Sequence, residues 1–296
     1  MQQGKKLKQE ILATSDLKLL TKAYQEHAVQ QINLERYSIV GSREFVRELD
    51  EILFNVKSSY KNRLLRLLQQ KKNVKNLKYN KNKKEVIVLM SPNNKLYGDL
   101  IPKIFKLFLE KAKGGSSEGA ITPDIVIVGK QGKQFVEESD LQKNYTYFEM
   151  PDRGISKNIV YSLRDALYPY EKVTVFCGKF INIVSQEAVE IDVSGTKLDD
   201  HTTKEQQLEF LFEPSLEEVL DFFETMIFSL LLDQTVHESS LARFASRFKA
   251  MESAQTNIEK QLKKITKREK RLREMDMNRK QLALLAGRPL WNKRMR

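Results

Sequence analysis

Hydrophobic and polar positions change period along the chain, and the changes divide it into three parts. From about Lys5 to Leu68, apolar residues recur mostly three or four apart, at Leu7, Ile11, Leu17, Leu20, Tyr24, Ala28 and Ile32. That spacing keeps one face of a helix apolar. Gly41 predicts an interruption, with Ser42 as the N-cap of a fresh helix over "REFVRELDEILFNV". The following "QQKKNVKNLKYNKNKK" has little period and reads as a basic linker.

The middle part switches to short, β-branched apolar runs: "EVIVLM" (85–90), "DIVIVG" (124–129) and "KVTVFC" (172–177). Strands buried on both faces have this pattern. Helical patterns separate them at "LIPKIFKLFLEKA" (100–112) and "GISKNIVYSLRDAL" (154–167). Strand–helix–strand alternation predicts parallel strands joined by right-handed crossovers. "GGSSEG" (114–119) reads as a surface loop, and "KFINIVSQEAVEIDV" (179–193) as a further strand or hairpin.

The last part opens at "EPSLEE", where Ser215 and Glu218 have capping-box spacing after Pro214. From there to Ala286 the chain has no Gly or Pro. A continuous helix of that length would run roughly 100 Å, too long for a globular core to cover. Its apolar seam runs through Leu241, Phe244, Phe248, Met251, Ile258, Leu262 and Ile265, at heptad spacing. Such a seam calls for a partner helix, and the first helical region is the other long helix in the chain. The fold class expected is α/β, with the two terminal helices in a long antiparallel coiled coil around an inserted parallel-sheet domain. The expected divisions are 1–75, 76–206 and 207–296.

Composition narrows the partners. The chain has 296 residues and a formal net charge of +12, which suggests an acidic partner: nucleic acid, anionic lipid or an acidic protein surface. No run approaches the roughly 18 apolar residues of a membrane span, and "MQQGKKLKQE" lacks the apolar region of a secretory signal. A single cysteine, Cys177, excludes an internal disulfide framework, fits a reducing compartment and reads as a buried strand residue.

No catalytic, cofactor-binding or metal-binding residue is assigned. His27, His201 and His237 have no metal-ligand spacing. "LMSPNNKLYGDL" (89–100) lies where α/β folds often bind ligands, yet carries no phosphate-binding motif. "VGKQGKQF" (128–135) offers two Gly and two Lys after a strand, a weak phosphate-cradle signal. The main chemical signal is the cationic stretch from Gln261 to Gly287, which holds nine Lys and Arg and three acids. It can be the solvated face of a coiled coil, a nucleic-acid interface, or a rod against an acidic protein. It lacks interleaved aromatics and carries its seam to the end, which favours protein over nucleic acid.

Seven segments, in order, resemble the gamma subunit of rotary F-type ATP synthases, including divergent F-type-like ATPases. "LTKAYQEHAVQQ" (20–31) resembles the family's "ITKAMEMVAAxK", and "VLMSPNNKLYGDL" its "xxSDRGLCGGLN". "VIVGKQGKQFV" resembles "xxIGxKGxxFF". "KFINIVSQEAVEI" resembles "KFxNTMSQxPxI", matching at Lys179, Phe180, Asn182, Ser185 and Gln186. "FLFEPSLEEVLD" (210–221), "HESSLARFASRFKAMESAQTN" (237–257) and "QLALLAG" resemble "YxYEPDPxxLLD", "ASExAARMxAMxxATDN" and "ELxEIVxGA".

The resemblance implies the same fold, with a Rossmann-like domain that holds no nucleotide. It implies a non-catalytic central stalk turning inside a ring of alpha and beta subunits, with epsilon and a membrane c-ring, or a substitute load, as further partners. Nucleic acid is not among them, and no cofactor is implied. The place implied is peripheral, on the cytoplasmic face of a bacterial membrane. The shaft residues expected to meet the ring are Lys22, Ala23, Tyr24, Lys263, Lys264, Lys267, Arg268, Arg273, Glu274, Leu282 and Leu285, with Leu262, Ile265, Leu272 and Leu282 packing on the first helix. Departures from the family pattern occur at Tyr24, His27–Ala28, Tyr97, Asp99, Glu274 and in the ending "RPLWNKRMR". They raise an alternative, a specialised F-type-like ATPase that hydrolyses ATP for mechanical work or transport. A basic coiled coil that binds nucleic acid is the lower alternative.

Overall fold

A computed structural model describes residues 2–69, 82–114, 123–139, 141, 144–155, 157–194 and 216–292. Ten elements follow in order: α1 (Gln2–Gln69), β1 (Asn82–Met90), α2 (Leu100–Gly114), β2 (Asp124–Val128), α3 (Lys130–Glu137), β3 (Tyr145–Phe148), α4 (Lys157–Leu167), β4 (Tyr170–Phe180), β5 (Gln186–Asp192) and α5 (Leu216–Asn292). The linker residues 70–81, the loop 115–119, His201 and the cap at Ser215 lie outside the described residues.

The chain divides into two compact units. One holds Met1–Ala28 and Phe248–Arg296, the other Val29–Arg247, so α1 and α5 each contribute to both.

In the larger unit, five strands form one sheet in the order β3-β2-β1-β4-β5. β1 is parallel to β2 and β4, and β2 is parallel to β3. The run at 179–193 forms a hairpin, with β5 antiparallel to β4 at the sheet edge. Alternation along each strand sends side chains to both faces. Val86, Val88, Val126, Val173 and Val175 share a core with Leu163 and Leu167 of α4 and Phe228, Leu232 and Val236 of α5. On the opposite face Phe108 of α2 meets Phe176 edge to face at 5.6 Å. Both faces are covered, which is why β1, β2 and β4 read as continuous apolar runs. Cys177 is fully buried in this core, and burial pushes its thiol up to about 12.

The expected break at Gly41 does not occur: α1 runs through it. A lone glycine costs a helix about 1 kcal/mol, which flanking turns can absorb. α3 and β3 are additional to the expected elements. β3 is a four-residue edge strand and α3 a two-turn helix, each too short to set a clear period.

In the smaller unit the α1 positions facing inward are Leu7, Ile11, Thr14, Lys18, Thr21, Gln25 and Ala28, spaced alternately by four and three. Leu17 and Leu20, expected on this face, are exposed instead. The α5 seam runs as expected through Met251, Ile258, Leu262, Ile265 and Leu272, with Gln255 and Glu269 filling the heptad register. No described helix is long and apolar enough to cross a membrane.

Candidate functional site

The turn after β1 tests the nucleotide question. In open α/β sheets a phosphate would sit at the helix N-terminus beyond the strand ends. Here the free N–H groups at the start of α3 are already taken. Lys130 N–H donates to Asn93 Oδ1 at 2.9 Å, Gln131 N–H to the Pro92 carbonyl at 3.0 Å, and Gly132 N–H to Ser91 Oγ at 2.7 Å. Ser91 Oγ in turn donates to the Val128 carbonyl at 2.7 Å. Gly129 caps α3 at φ 89°, and a Cβ there would lie 2.0 Å from the Ser91 carbonyl oxygen. At the start of α3 the 91–94 turn therefore fills the space that a phosphate would need, and the two glycines of "VGKQGKQF" serve close packing. Among the described residues, no group of His, Cys, Asp and Glu is placed to hold a metal ion.

The cationic stretch 261–287 lies in the smaller unit. Lys18 Nζ reaches Glu259 across the two helices at 2.9 Å. The hydrogen bond from Lys18, then its charge, hold the Glu259 carboxyl below its ordinary value. Antiparallel pairing from this point sets residue 2 of α1 opposite about residue 275 of α5, at equal rise per residue. α5 therefore continues past the start of α1.

That register sorts the expected site residues. Lys263, Lys264, Lys267 and Arg268 are exposed on the outer side of α5. Lys22 and Ala23 are exposed on α1, with Lys22 reaching Glu26 at 3.8 Å, while Tyr24 is half-buried. Arg273 pairs with Glu269 on its own helix at 2.5 Å, and Glu274 is exposed. Leu282 and Leu285 are 65% and 59% exposed. Leu282 thus does not pack on the first helix, because α1 has ended before reaching it. Ile265 is buried, and Leu262 and Leu272 are half-buried, as the seam requires.

Two polar clusters of the larger unit were not expected from sequence. Glu35 of α1 is buried between His237 and Ser240 of α5: Glu35 Oε2 lies 2.7 Å from His237 Nδ1, and Ser240 Oγ donates to Glu35 Oε1 at 2.8 Å. Asp152 is buried under the 91–99 turn with Arg243 and Arg247 nearby. The paired arginines four apart in the apolar run "LARFASRF" were the legible signal for the second cluster. The first had none, because its partners are 202 residues apart.

A family model described as "ATP synthase" matches residues 3–279. The ATP synthase gamma chain of Geobacter metallireducens is 22% identical over 302 residues, covering 96% of each chain. That of Roseobacter denitrificans is 23% identical over 299 residues, covering 96% of this chain and 97% of its own. Among solved structures, a chain of the central stalk and c-ring of Tetrahymena thermophila mitochondrial ATP synthase shares the fold. Its TM-score is 0.53 at 18% identity, covering 79% of this chain and 99% of its own.

Proposed function

The chain belongs to the ATP synthase gamma family, and from that premise we propose that it is the rotor shaft coupling ATP synthesis or hydrolysis in an alpha–beta ring to rotation and ion transport. It is a non-catalytic stalk subunit of an F-type ATP synthase. The shaft comprises 1–75 and 207–296, and the body that meets epsilon and a c-ring, or a substitute load, comprises 76–206. The complex sits peripherally on the cytoplasmic face of a bacterial membrane.

One observation carries the reading. The helix pair of the smaller unit buries its heptad seam inward and leaves Lys263, Lys264, Lys267 and Arg268 outward, followed by an exposed apolar end at Leu282 and Leu285. Such an end calls for an enclosing partner. Exposed cationic pairs are individually weak, about 0–1 kcal/mol, which suits a bearing that must not hold at one angle. Torque then comes from steric contact with a stiff rod, and charge biases its path. Lys22, Ala23, Tyr24, Arg273 and Glu274 complete the surface proposed to face the ring.

Gentle affinity purification from native cells, with partner identification and an ATPase assay on the eluate, tests this. Recovery with alpha-, beta- and c-ring-like subunits supports the synthase. Recovery with alpha- and beta-like subunits and an unfamiliar load in place of the c-ring supports a specialised motor. A chain recovered alone or with nucleic acid, without ATPase activity, overturns the proposal.

A further inference from the structure

The larger unit contains a set of buried polar contacts that the shaft surface does not use. Arg243, Ser246 and Arg247 lie within one turn of α5, at spacings that place them on one helix face. All three are buried. They converge on the turn between β1 and α2. Arg247 Nη2 donates to the Lys95 carbonyl at 2.9 Å, and its guanidinium lies 3.8 Å over the Tyr97 ring. Ser246 Oγ donates to the Tyr97 carbonyl at 2.7 Å. Arg243 Nη1 approaches Asp152 Oδ1 at 3.9 Å. Asp152 in turn accepts from Asn93 N–H at 2.8 Å, Asn94 N–H at 2.8 Å and Asn94 Nδ2 at 2.7 Å.

The same turn is bound to the sheet at its other end through Ser91, Pro92 and Asn93, which hold the start of α3. Between the two captured carbonyls sits Leu96 at φ 76°, a left-handed conformation that a leucine rarely adopts. It is half exposed, so apolar burial does not account for it. A strained residue persists where its surroundings over-determine the backbone, and such places cluster at functional positions. The flanking contacts from Arg247 and Ser246 supply that constraint.

Apolar burial is non-directional and permits small slips. Hydrogen bonds from charged groups and planar stacking fix direction. We propose that the 91–99 turn, gripped by Ser246 and Arg247 directly, by Arg243 through Asp152, and by α3 at its other end, is a clamp that makes α5 and the sheet turn together under load. It rests on the shaft reading and adds to it the positioning residues that pass force between helix and sheet. At Gly178 of β4 a Cβ would meet Ala242 Cβ at 3.1 Å, so helix and sheet approach closely beside the clamp and little slip is needed to disturb it.

The test uses the assembled complex purified with Arg247→Lys and Ser246→Ala chains. Arg247→Lys keeps the charge and loses the planar stack and fork. Leu163→Val, a core substitution away from the clamp, serves as the stability control. ATP hydrolysis is measured without load, and work is measured as ATP-driven rotation against an imposed drag. The expected result is unloaded hydrolysis within about twofold of wild type and loaded output down about five- to tenfold for the clamp variants. The control should lower both together, or neither. A ratio of loaded to unloaded output that is unchanged in the clamp variants, or that falls equally in the control, overturns the clamp while leaving the shaft reading intact. A wild-type complex that produces no rotation removes the shaft reading and the clamp with it.

Discussion

Glu35 and His237 meet across α1 and α5 at 2.7 Å, and the contact is largely buried. The hydrogen bond to Glu35 raises the His237 pKa above its ordinary value. Burial opposes the shift, and the charges of Glu35 and of Asp233, whose Oδ1 is 3.7 Å from Nε2, support it. A raised folded-state pKa means that folding favours the protonated imidazole. The stabilisation is fully present below the unfolded pKa, about 6.5, and is lost as pH rises through the folded pKa. Urea unfolding of wild type and His237→Gln should therefore differ most near pH 6 and converge in alkaline solution. A difference that grows with pH would show that the pair is held neutral.

The plug at the start of α3 gives a second prediction. Ser91→Ala removes the acceptor of the buried Gly132 N–H and leaves that donor unpaired. The expected cost is about 1–3 kcal/mol. Gly129→Ala should cost more, about 3–5 kcal/mol, since it adds a Cβ at positive φ against the Ser91 carbonyl. Chemical denaturation measures both, and hydrogen exchange at the Gly132 amide should speed up in Ser91→Ala. If Gly129→Ala proves the milder change, the turn is looser than its contacts indicate.

These two clusters mark the limit of what the residues alone disclose. Runs such as "EVIVLM" and "KVTVFC" declared themselves because a strand covered on both faces has no polar positions to dilute its pattern. The α5 seam was legible for a similar reason: Met251, Ile258, Leu262 and Ile265 keep heptad spacing over many turns. The matching face of α1 was only partly legible. Its inward positions include Thr14, Lys18, Thr21 and Gln25, while Leu12, Leu19 and Leu20 point outward. A period count follows leucines, so it placed Leu17 and Leu20 in the seam. The exposed shaft residues came from family resemblance, since surface lysines carry no periodic signature of their partner. The Glu35–His237 contact joins residues whose proximity exists only once the chain is folded.

The seam yields a contrast between two apolar residues on one helix. Ile265 is buried at the α1–α5 contact of the smaller unit, and Leu282 lies beyond the end of α1. Ile265→Ala should therefore destabilise the free chain by about 2 kcal/mol through lost burial and cavity formation. Leu282→Ala should stay within about 0.5 kcal/mol, as surface changes do. Thermal unfolding followed by far-UV circular dichroism separates them. In the assembled complex the order should narrow, because the proposed enclosing partner covers Leu282. Equal effects in the free chain would mean that the end of α5 folds back onto a surface of its own.

Charge reversal tests the bearing itself. Lys263, Lys264, Lys267 and Arg268 are exposed, so a quadruple change to Glu removes no buried contact of the chain. Stability of the free protein should change little, because exposed ion pairs such as Lys18–Glu259 contribute little to folding. Rotation should respond far more, because a reversed face would repel the acidic partner surface proposed to enclose it. Each exposed pair is weak, and on the proposed reading the effect accumulates through the number of charges facing the ring. Raising salt should restore part of the lost rate, since exposed charges more than about 10 Å apart are screened at 0.1 M. If the variant turns normally at low salt, torque passes through shape alone and the cationic face is only a solvated surface.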